Sequence, residues 1–304
     1  MNTGLLHDPD FFAGHNRAQH AENNLRLGEL GDLGSCHLVG CRPATDEELL
    51  AAHTPNHMQT ITAQCQRGGG FLDPDTYCGP DSEAISREAS GGLIDLCLQV
   101  LDGAYSNGLA LVRPPGHHAT ADQAMGFCLY NHIAVAAAAL KARGLPRICI
   151  IDFDVHHGNG TQDIFYEDDA VLYLSSHQYP HFPGTGSTAE IGRGKGHGFT
   201  LNHPLKSGDG DEEFVAGYRE HLLPRLAHFK PRFILVSAGY DGHVDDPLAH
   251  LNITAKGYTE VVNMLMQAAA QHCDGKIVFA LEGGYNPHAL AECLDSTIQS
   301  LNKS

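Results

Sequence analysis

The alternation of short apolar runs with longer helical stretches is the feature that most constrains the fold of this chain. The apolar runs cover residues 109–112, 147–155, 170–176, 233–239 and 276–284. Helical stretches cover residues 131–143, 212–228 and 254–272, and two more helices are expected to begin at Asp46 and Ser82. Strands that alternate with helices predict a mostly parallel sheet with helices on both faces. We therefore predict a single α/β domain over residues 1–304.

Composition excludes several classes of protein. The net charge is −17, and the sequence has no cluster of Lys and Arg, so we do not expect nucleic-acid binding. The sequence contains no run of about 18 apolar residues, so we do not expect a membrane span. The start, "MNTGLLHDPDFF", lacks the basic and apolar regions of a secretory signal, so we expect a cytoplasmic protein. The 9 cysteines are scattered without a C-x-x-C pair, which is typical of reduced thiols.

Four polar segments follow the predicted strands. They are "RPPGHHA", "DFDVHHGNG", "SAGYDGH" and "LEGGY". In open α/β sheets, ligands bind beyond the carboxyl ends of the strands. We therefore expect these segments to converge on one functional site.

Asp152, Asp154 and His156 alternate with apolar residues along the second of these segments. On a continuous strand, alternation would place all three on one face. The alternatives are a polar face exposed to water and a buried face that binds a cation. The apolar run before Asp152 favours a buried strand, and buried carboxylates need a compensating charge. The pattern therefore predicts a metal site.

Asp241 is the residue expected to complete the site, because it follows a neighbouring predicted strand. With Asp154 and His156 it supplies one nitrogen and two oxygens, and three protein ligands leave a position for water, as in catalytic zinc sites. Ferrous iron or cobalt could bind the same ligands. Asp245 and Asp246 are alternatives to Asp241, although they lie further into the loop.

Two adjacent histidines, His117 and His118, follow two prolines and a glycine. A rigid surface turn would explain this pattern, but so would a loop that aims both imidazoles at one metal-bound water, as base and as acid. Asp152 could orient one ring and Asn159 the other. Because a carboxylate raises basicity more than an amide does, we expect the two histidines to titrate differently.

Tyr285 ends the segment "LEGGY", where two glycines allow close approach of the backbone to a substrate. Its hydroxyl could donate to an oxyanion opposite the metal. The alternative is a core tyrosine after a turn.

Together these residues resemble the histone deacetylase family of the arginase-deacetylase superfamily. The motifs "RPPGHHA", "GFCLYNHIAVAA", "DFDVHHGNGTQ", "PGTG", "VSAGYD" and "LEGGY" follow the order of the family, from about His20 to Tyr285. The motif sequences "HHGNG" and "EGGY" are similar to those of the class II branch and its bacterial relatives. His157 and Gly158 stand where an arginase would continue with an aspartate, which favours a single metal.

The resemblance implies an arginase/deacetylase-like fold and assigns a role to each candidate. Zinc would bind at Asp154, His156 and Asp241. Tyr285 would polarise an amide carbonyl. The tandem histidines would be His117 and His118, supported by Asp152 and Asn159.

The resemblance further implies a narrow channel and a second cation. Phe127 and Phe182 would line a channel for an acyl-lysine stem. A structural potassium ion would take oxygens from Asp152, Asp154, His156, Ser175 and Ser176. The segment "HAENNLRL" departs from the H-P-E wording of relatives, and Cys78 is expected where class I members carry an aspartate at the mouth.

We accordingly predict a zinc-dependent amidohydrolase that removes acetyl or other acyl groups from lysine side chains of proteins or peptides. One alternative is a deacetylase of acetylated polyamines or another small acylated amine. Polyamine-selective class II members carry a glutamate where this chain has Leu248, so the leucine favours lysine. A second alternative is a metal-bound interaction module without catalysis, against which Tyr285 counts.

Overall fold

A parallel sheet forms the centre of the computed structural model, which describes residues 2–31, 33–34 and 36–303. In these residues eight strands form the sheet: β1 (Thr3–Leu6), β2 (His37–Val39), β5 (Asn107–Ala110), β6 (Ile148–Asp152), β7 (Val171–Gln178), β8 (Thr200–Leu205), β9 (Phe233–Ala238) and β10 (Ile277–Leu281). Their spatial order is β2-β1-β5-β10-β9-β6-β7-β8. A separate antiparallel hairpin contains β3 (Gly70–Phe71) and β4 (Tyr77–Cys78).

Helices cover both faces of the sheet. They are α1 (Pro9–Phe12), α2 (Asp46–Leu50), α3 (Pro55–Gln66), α4 (Ser82–Leu101), α5 (His132–Ala142), α6 (Asn159–Phe165), α7 (Asp211–Gly217), α8 (Leu223–Phe229), α9 (Ala255–Cys273) and α10 (Pro287–Lys303). Short 3₁₀ helices span Asn24–Leu27 and Gly194–Gly196, and a π-helix, Tyr218–Leu222, joins α7 to α8. Within the described residues, no helix combines the length and the apolar character needed to cross a membrane.

Alternate residues of β6 enter two different apolar clusters, one on each face of the sheet. Cys149 and Ile151 pack in the cluster that α9 and α10 cover, whereas Ile148 and Ile150 pack in the cluster that α4 and α5 cover. A strand that is buried on both faces is apolar throughout, which explains the uninterrupted run in the sequence. The predicted α/β fold with a mostly parallel, doubly covered sheet is therefore confirmed.

Each predicted strand run contains a strand, and the predicted helices correspond to α2, α4, α5, α9 and the α7–α8 region. In the eight-stranded sheet, β1, β2 and β8 were not predicted, and neither was the hairpin of β3 and β4. β2 lies at one edge of the sheet and exposes His37 and Leu38, and β8 lies at the other edge and contains Pro204. Edge strands lack the apolar signature of central ones, because one side of each is not paired.

The central strands end at the same level. Asp152, the last residue of β6, is in register with Ser237 of β9 and Ser175 of β7. Ala280 of β10 is in register with Ser237 on one side and with Ala110, the last residue of β5, on the other. The loops that follow β5, β6, β9 and β10 therefore emerge side by side, and the four polar segments of the sequence lie in these loops.

Candidate active site and metal centre

A cluster of one imidazole and two carboxylates lies beyond β6 and β9. Ligand atoms of Asp154, His156 and Asp241 lie within 4.8 Å of one another, and all three residues are buried. Nδ1 of His156 lies 3.1 Å from Oδ1 of Asp154 and 3.1 Å from Oδ2 of Asp241. This set of one nitrogen and two oxygens fits a divalent cation with three protein ligands.

The route by which the chain reaches this cluster differs from the predicted one. β6 ends at Asp152, so Asp154 and His156 do not extend the strand as the alternation predicted. Instead, carboxylates hold the turns: Asp152 accepts the N–H of Asp154 at 3.2 Å, and Asp154 accepts the N–H of His156 at 2.9 Å. Phe153 and Val155 still enter the apolar core, so the two sets of side chains remain separated.

Backbone N–H groups fix the carboxylates of the cluster. Oδ2 of Asp154 accepts the N–H of Gly283 at 2.8 Å, and Oδ1 of Asp241 accepts the N–H of Val155 at 2.9 Å. Each carboxylate therefore keeps one oxygen for His156 and the cation. The arrangement is preorganised, since hydrogen bonds orient these groups before any cation binds.

The two alternative aspartates lie outside the cluster. Asp245 is exposed in the loop after β9. The Asp246 carboxylate accepts the N–H groups of Tyr285 at 2.7 Å and of Leu248 at 3.0 Å. Burial, together with the charge of Asp241, raises the pKa of Asp246 to about 7. Through these hydrogen bonds, Asp246 connects the loop after β9 to the loop after β10.

The tandem histidines lie beside the metal cluster. Their loop is buried, so the alternative of a surface turn is wrong. Nδ1 of His117 lies 3.0 Å from Asp152, and Nδ1 of His118 lies 2.8 Å from the side-chain oxygen of Asn159. Since both partner oxygens are acceptors, each Nδ1 carries a hydrogen, and the Nε2 of a ring is a free acceptor only while that ring is neutral. Nε2 of His117 lies 3.8 Å from Asp154.

The two imidazoles have opposite pKa shifts. Burial opposes the protonation of His117, but the negative charges of Asp152 and Asp154 raise its pKa well above the usual range. Burial lowers the pKa of His118, and the neighbouring His117 and His156 lower it further. The direction of the difference agrees with the expectation from their partners: the carboxylate favours the charged ring, and the amide does not.

Tyr285 lines the same cavity and is partly exposed, so it is not a core tyrosine. The Arg26 guanidinium lies 4.6 Å from the centre of its ring, and the Phe127 ring packs edge-on at 5.7 Å. Burial raises the pKa of the Tyr285 hydroxyl well above its usual range, so it stays protonated and can donate. Its position favours donation to a group inside the cavity.

Arg26 was not singled out in the sequence, although it lies in "HAENNLRL". Its guanidinium donates to the carbonyls of Glu282 at 2.6 Å and Gly284 at 2.7 Å. Glu22 neutralises it at 2.8 Å and also pairs with Arg113 at 2.9 Å. In the sequence, the spacing of four residues between Glu22 and Arg26 indicates that the two could form an ion pair. It does not indicate that Arg26 contacts the loop that carries Tyr285.

A cavity of 240 Å³ leads from the surface to this cluster. The predicted channel residues Phe127, Phe182 and Leu248 all line it, together with the two tandem histidines, His156 and Tyr285. Phe182 is 40% exposed, which places it near the mouth. His181 also lines the cavity; its ring stacks on His156 at 5.1 Å and its Nε2 lies 3.2 Å from the Leu248 carbonyl.

The acidic residue at the mouth is Asp75, which the sequence analysis did not identify. Asp75 lines the cavity, and its carbonyl accepts a hydrogen bond from His20 at 2.8 Å. Cys78, the residue expected there, is buried, and its sulfur lies 3.2 Å from that of Cys65. The motif comparison assigned the wrong residue because the hairpin between β3 and β4, rather than sequence spacing, decides which side chain reaches the mouth.

Of the residues proposed for potassium, Asp152 ends β6, Ser175 and Ser176 lie within β7, and Asp154 and His156 lie in the loop after β6. Asp152 and Ser175 are paired across the two strands. The Ser175 hydroxyl bonds to His177 at 2.8 Å, and the Ser176 hydroxyl bonds to Tyr218 at 3.0 Å. Both hydroxyl groups therefore already have protein partners.

Comparisons with known proteins agree with this geometry. The histone deacetylase domain family matches residues 14–301. A histone deacetylase-like amidohydrolase of Pseudomonas aeruginosa is 39% identical, over 97% of this chain and 78% of its own. The human polyamine deacetylase HDAC10 is 38% identical, over 91% of this chain and 43% of its own. The crystal structure of the HDA15 HD domain superposes with a TM-score of 0.95 at 35% identity, covering 100% of this chain and 88% of that one.

These matches extend over nearly the whole chain, and His156 of the Asp–His–Asp cluster lines an accessible cavity. An interaction module without catalysis is therefore not retained as an alternative. The chain belongs to the histone deacetylase family and is a deacetylase, an enzyme that hydrolyses amide bonds.

Proposed function

We propose that this protein is a zinc-dependent hydrolase that removes acetyl or other acyl groups from lysine side chains. The observation that carries the proposal is the cavity: aromatic rings line its sides, and the metal cluster, two histidines and a tyrosine lie together along it. A linear aliphatic stem fits between two aromatic walls, and its amide would reach the cluster. The substrates would be acyl-lysine proteins or peptides.

The donor set supports zinc as the metal. Asp154, His156 and Asp241 leave coordination positions open, and His156 lines the cavity, so the open side faces the substrate. A bound zinc ion would supply a Lewis acid and an activated water at this position. Ferrous iron and cobalt accept the same ligands, so metal analysis of the purified protein is part of the test.

The side chains around the cluster would provide the proton transfers. His118 is held neutral at neutral pH and can accept a proton from the attacking water through its free Nε2. The Tyr285 hydroxyl donates to the substrate carbonyl oxygen as negative charge develops there. One of the two tandem histidines, His117 or His118, then donates a proton to the leaving nitrogen. Water and the amide are consumed, and acetate and the free lysine amine are released.

Support for the roles of Asp152 and Asn159 comes from their contacts with the histidines. Each one accepts the Nδ1 hydrogen of one ring and so fixes the orientation of that ring. We propose that they are orienting residues that do not touch substrate. A structural potassium ion at Asp152, Asp154, His156, Ser175 and Ser176 belongs to the same proposal, and a melting temperature that rises with KCl but not with NaCl would support it.

The deciding experiment assays the purified protein with an acetyl-lysine peptide and with acetylputrescine side by side. We expect a higher kcat/KM for the peptide and zinc near one per chain. The matched control is Tyr285→Phe, which removes one hydroxyl and leaves the ring contacts with Arg26 and Phe127. A wild-type protein that hydrolyses neither substrate, with metal bound, would contradict the proposal.

One observation favours acetylated polyamines as the second candidate. Asp75 puts a carboxylate at the cavity, where it could attract the distal ammonium group of a polyamine. The same carboxylate could instead accept backbone N–H groups of a peptide. Leu248 carries no charge, which favours the lysine substrate, so the side-by-side assay decides between the two.

A further inference from the structure

Glu282 is a buried carboxylate that neither the motif analysis nor the proposed chemistry uses. It follows the last residue of β10 and is 1% exposed. Its Oε2 accepts the backbone N–H groups of Gly116 at 2.6 Å and of His117 at 3.1 Å. Its Oε1 accepts the hydroxyl of Ser237 at 2.9 Å. One side chain therefore joins β10, β9 and the loop of the tandem histidines.

The backbone beside Glu282 holds other parts of the site. Its carbonyl accepts the Arg26 guanidinium, and the N–H of the next residue, Gly283, donates to the metal-cluster residue Asp154 at 2.8 Å. Its N–H donates to the carbonyl of Ala238 at 3.0 Å, which continues the pairing of β10 with β9. The position of Glu282 is thus fixed independently of the histidine loop, so it can serve as a rigid anchor for that loop.

We propose that Glu282 is a positioning residue for His117, acting through the backbone of the histidine loop. The length of its side chain determines how far His117 lies from Asp152 and from the metal cluster. Reaction rates are sensitive to such placement, since a displacement of about 1 Å can cost about 100-fold. Burial raises the pKa of Glu282 to about 7, and its neutral form still offers an acceptor oxygen to the loop. Reach, rather than charge, is therefore the property that matters.

Two single substitutions separate reach from charge. Glu282→Gln keeps the length: its amide oxygen can accept both N–H groups, and its NH₂ can donate to the Ser237 hydroxyl. Glu282→Asp keeps the charge but is shorter by one methylene, so it cannot span from β10 to both partners. Glu292→Asp, on the exposed surface of α10, controls for the same chemical change away from the site.

The proposal predicts opposite effects for the pair. In Glu282→Gln, kcat stays within about threefold of wild type, and in Glu282→Asp it falls about 100-fold while KM and metal content stay near wild type. A fall in kcat of about 100-fold in Glu282→Gln would overturn the proposal, as would an unchanged kcat in Glu282→Asp. If the Asp variant does not fold, a large fall in kcat in Glu282→Gln still overturns the proposal.

This inference rests on the proposed function of His117, and a spectroscopic readout distinguishes the two. The Nδ1 hydrogen of His117, bonded to Asp152, should give a low-field proton resonance that is absent in His117→Ala. We expect this signal to be retained in Glu282→Gln and to be shifted or lost in Glu282→Asp. If wild type is inactive while the signals behave as expected, the proposed function fails and the positioning role stands. An unchanged signal in Glu282→Asp refutes the positioning role.

Discussion

Leu248→Glu tests the substrate class at the mouth of the cavity. Leu248 is half-buried and lines the cavity, and its N–H and carbonyl make its hydrogen bonds, with Asp246 at 3.0 Å and His181 at 3.2 Å. A new side chain therefore leaves these contacts in place. The substitution adds one carboxylate to a mouth where Asp75 is already present. A substrate with a second ammonium group should gain from the added charge, whereas a neutral acyl-lysine stem should not.

The expected size of the effect follows from Coulomb's law. Two unit charges about 4 Å apart attract by about 1 kcal/mol in water and by about 4 kcal/mol at an effective dielectric constant of about 20. The mouth is open to solvent, so screening keeps the gain near the lower value. A gain of about 1–1.4 kcal/mol corresponds to a change of about five- to tenfold in relative kcat/KM.

The assay compares kcat/KM for acetylputrescine with that for an acetyl-lysine peptide in wild type, Leu248→Glu and Leu248→Gln. The glutamine variant has nearly the same shape without the charge. We expect the ratio to rise five- to tenfold toward the polyamine in Leu248→Glu alone. An equal rise in Leu248→Gln would show that shape causes the change. If wild type already prefers acetylputrescine tenfold or more, the lysine-directed proposal is wrong and the polyamine candidate replaces it.

Three further predictions concern the metal cluster and the cavity. Asp154→Ala and Asp241→Ala should each lose metal and activity together, because each removes one of three ligands; full metal occupancy in folded protein, by elemental analysis, would exclude that residue. Tyr285→Phe should keep metal and fold but lose about 100- to 1000-fold in kcat, and a near-wild-type kcat would show that the hydroxyl does not reach the substrate. A hydroxamate with a five-methylene linker should bind between Phe127 and Phe182 with about 4 kcal/mol from burial, at about 0.8 kcal/mol per methylene before ordering costs; calorimetry with a linker two methylenes shorter checks this.

Predictions from sequence were most successful for central strands and for residues close together in one motif. The buried strands β6, β9 and β10 are apolar on both faces, and this signal is local. Asp154 and His156 are two residues apart, so they lie near one another however the chain turns beyond β6. The strand alternation was nevertheless the wrong reason for their convergence, because β6 ends at Asp152.

The sequence by itself thus determined the α/β fold, the family and the chemical types that gather beyond the strand ends. Only the tertiary structure decided which distant residues support them. Arg26 contacts Gly284 across 258 positions, and Glu282 contacts Gly116 across 166. Asp75 takes the place at the mouth that had been predicted for Cys78. The physical reason is that local patterns specify which face of a strand or helix is buried, whereas contacts between loops depend on how the whole sheet brings its strand ends together.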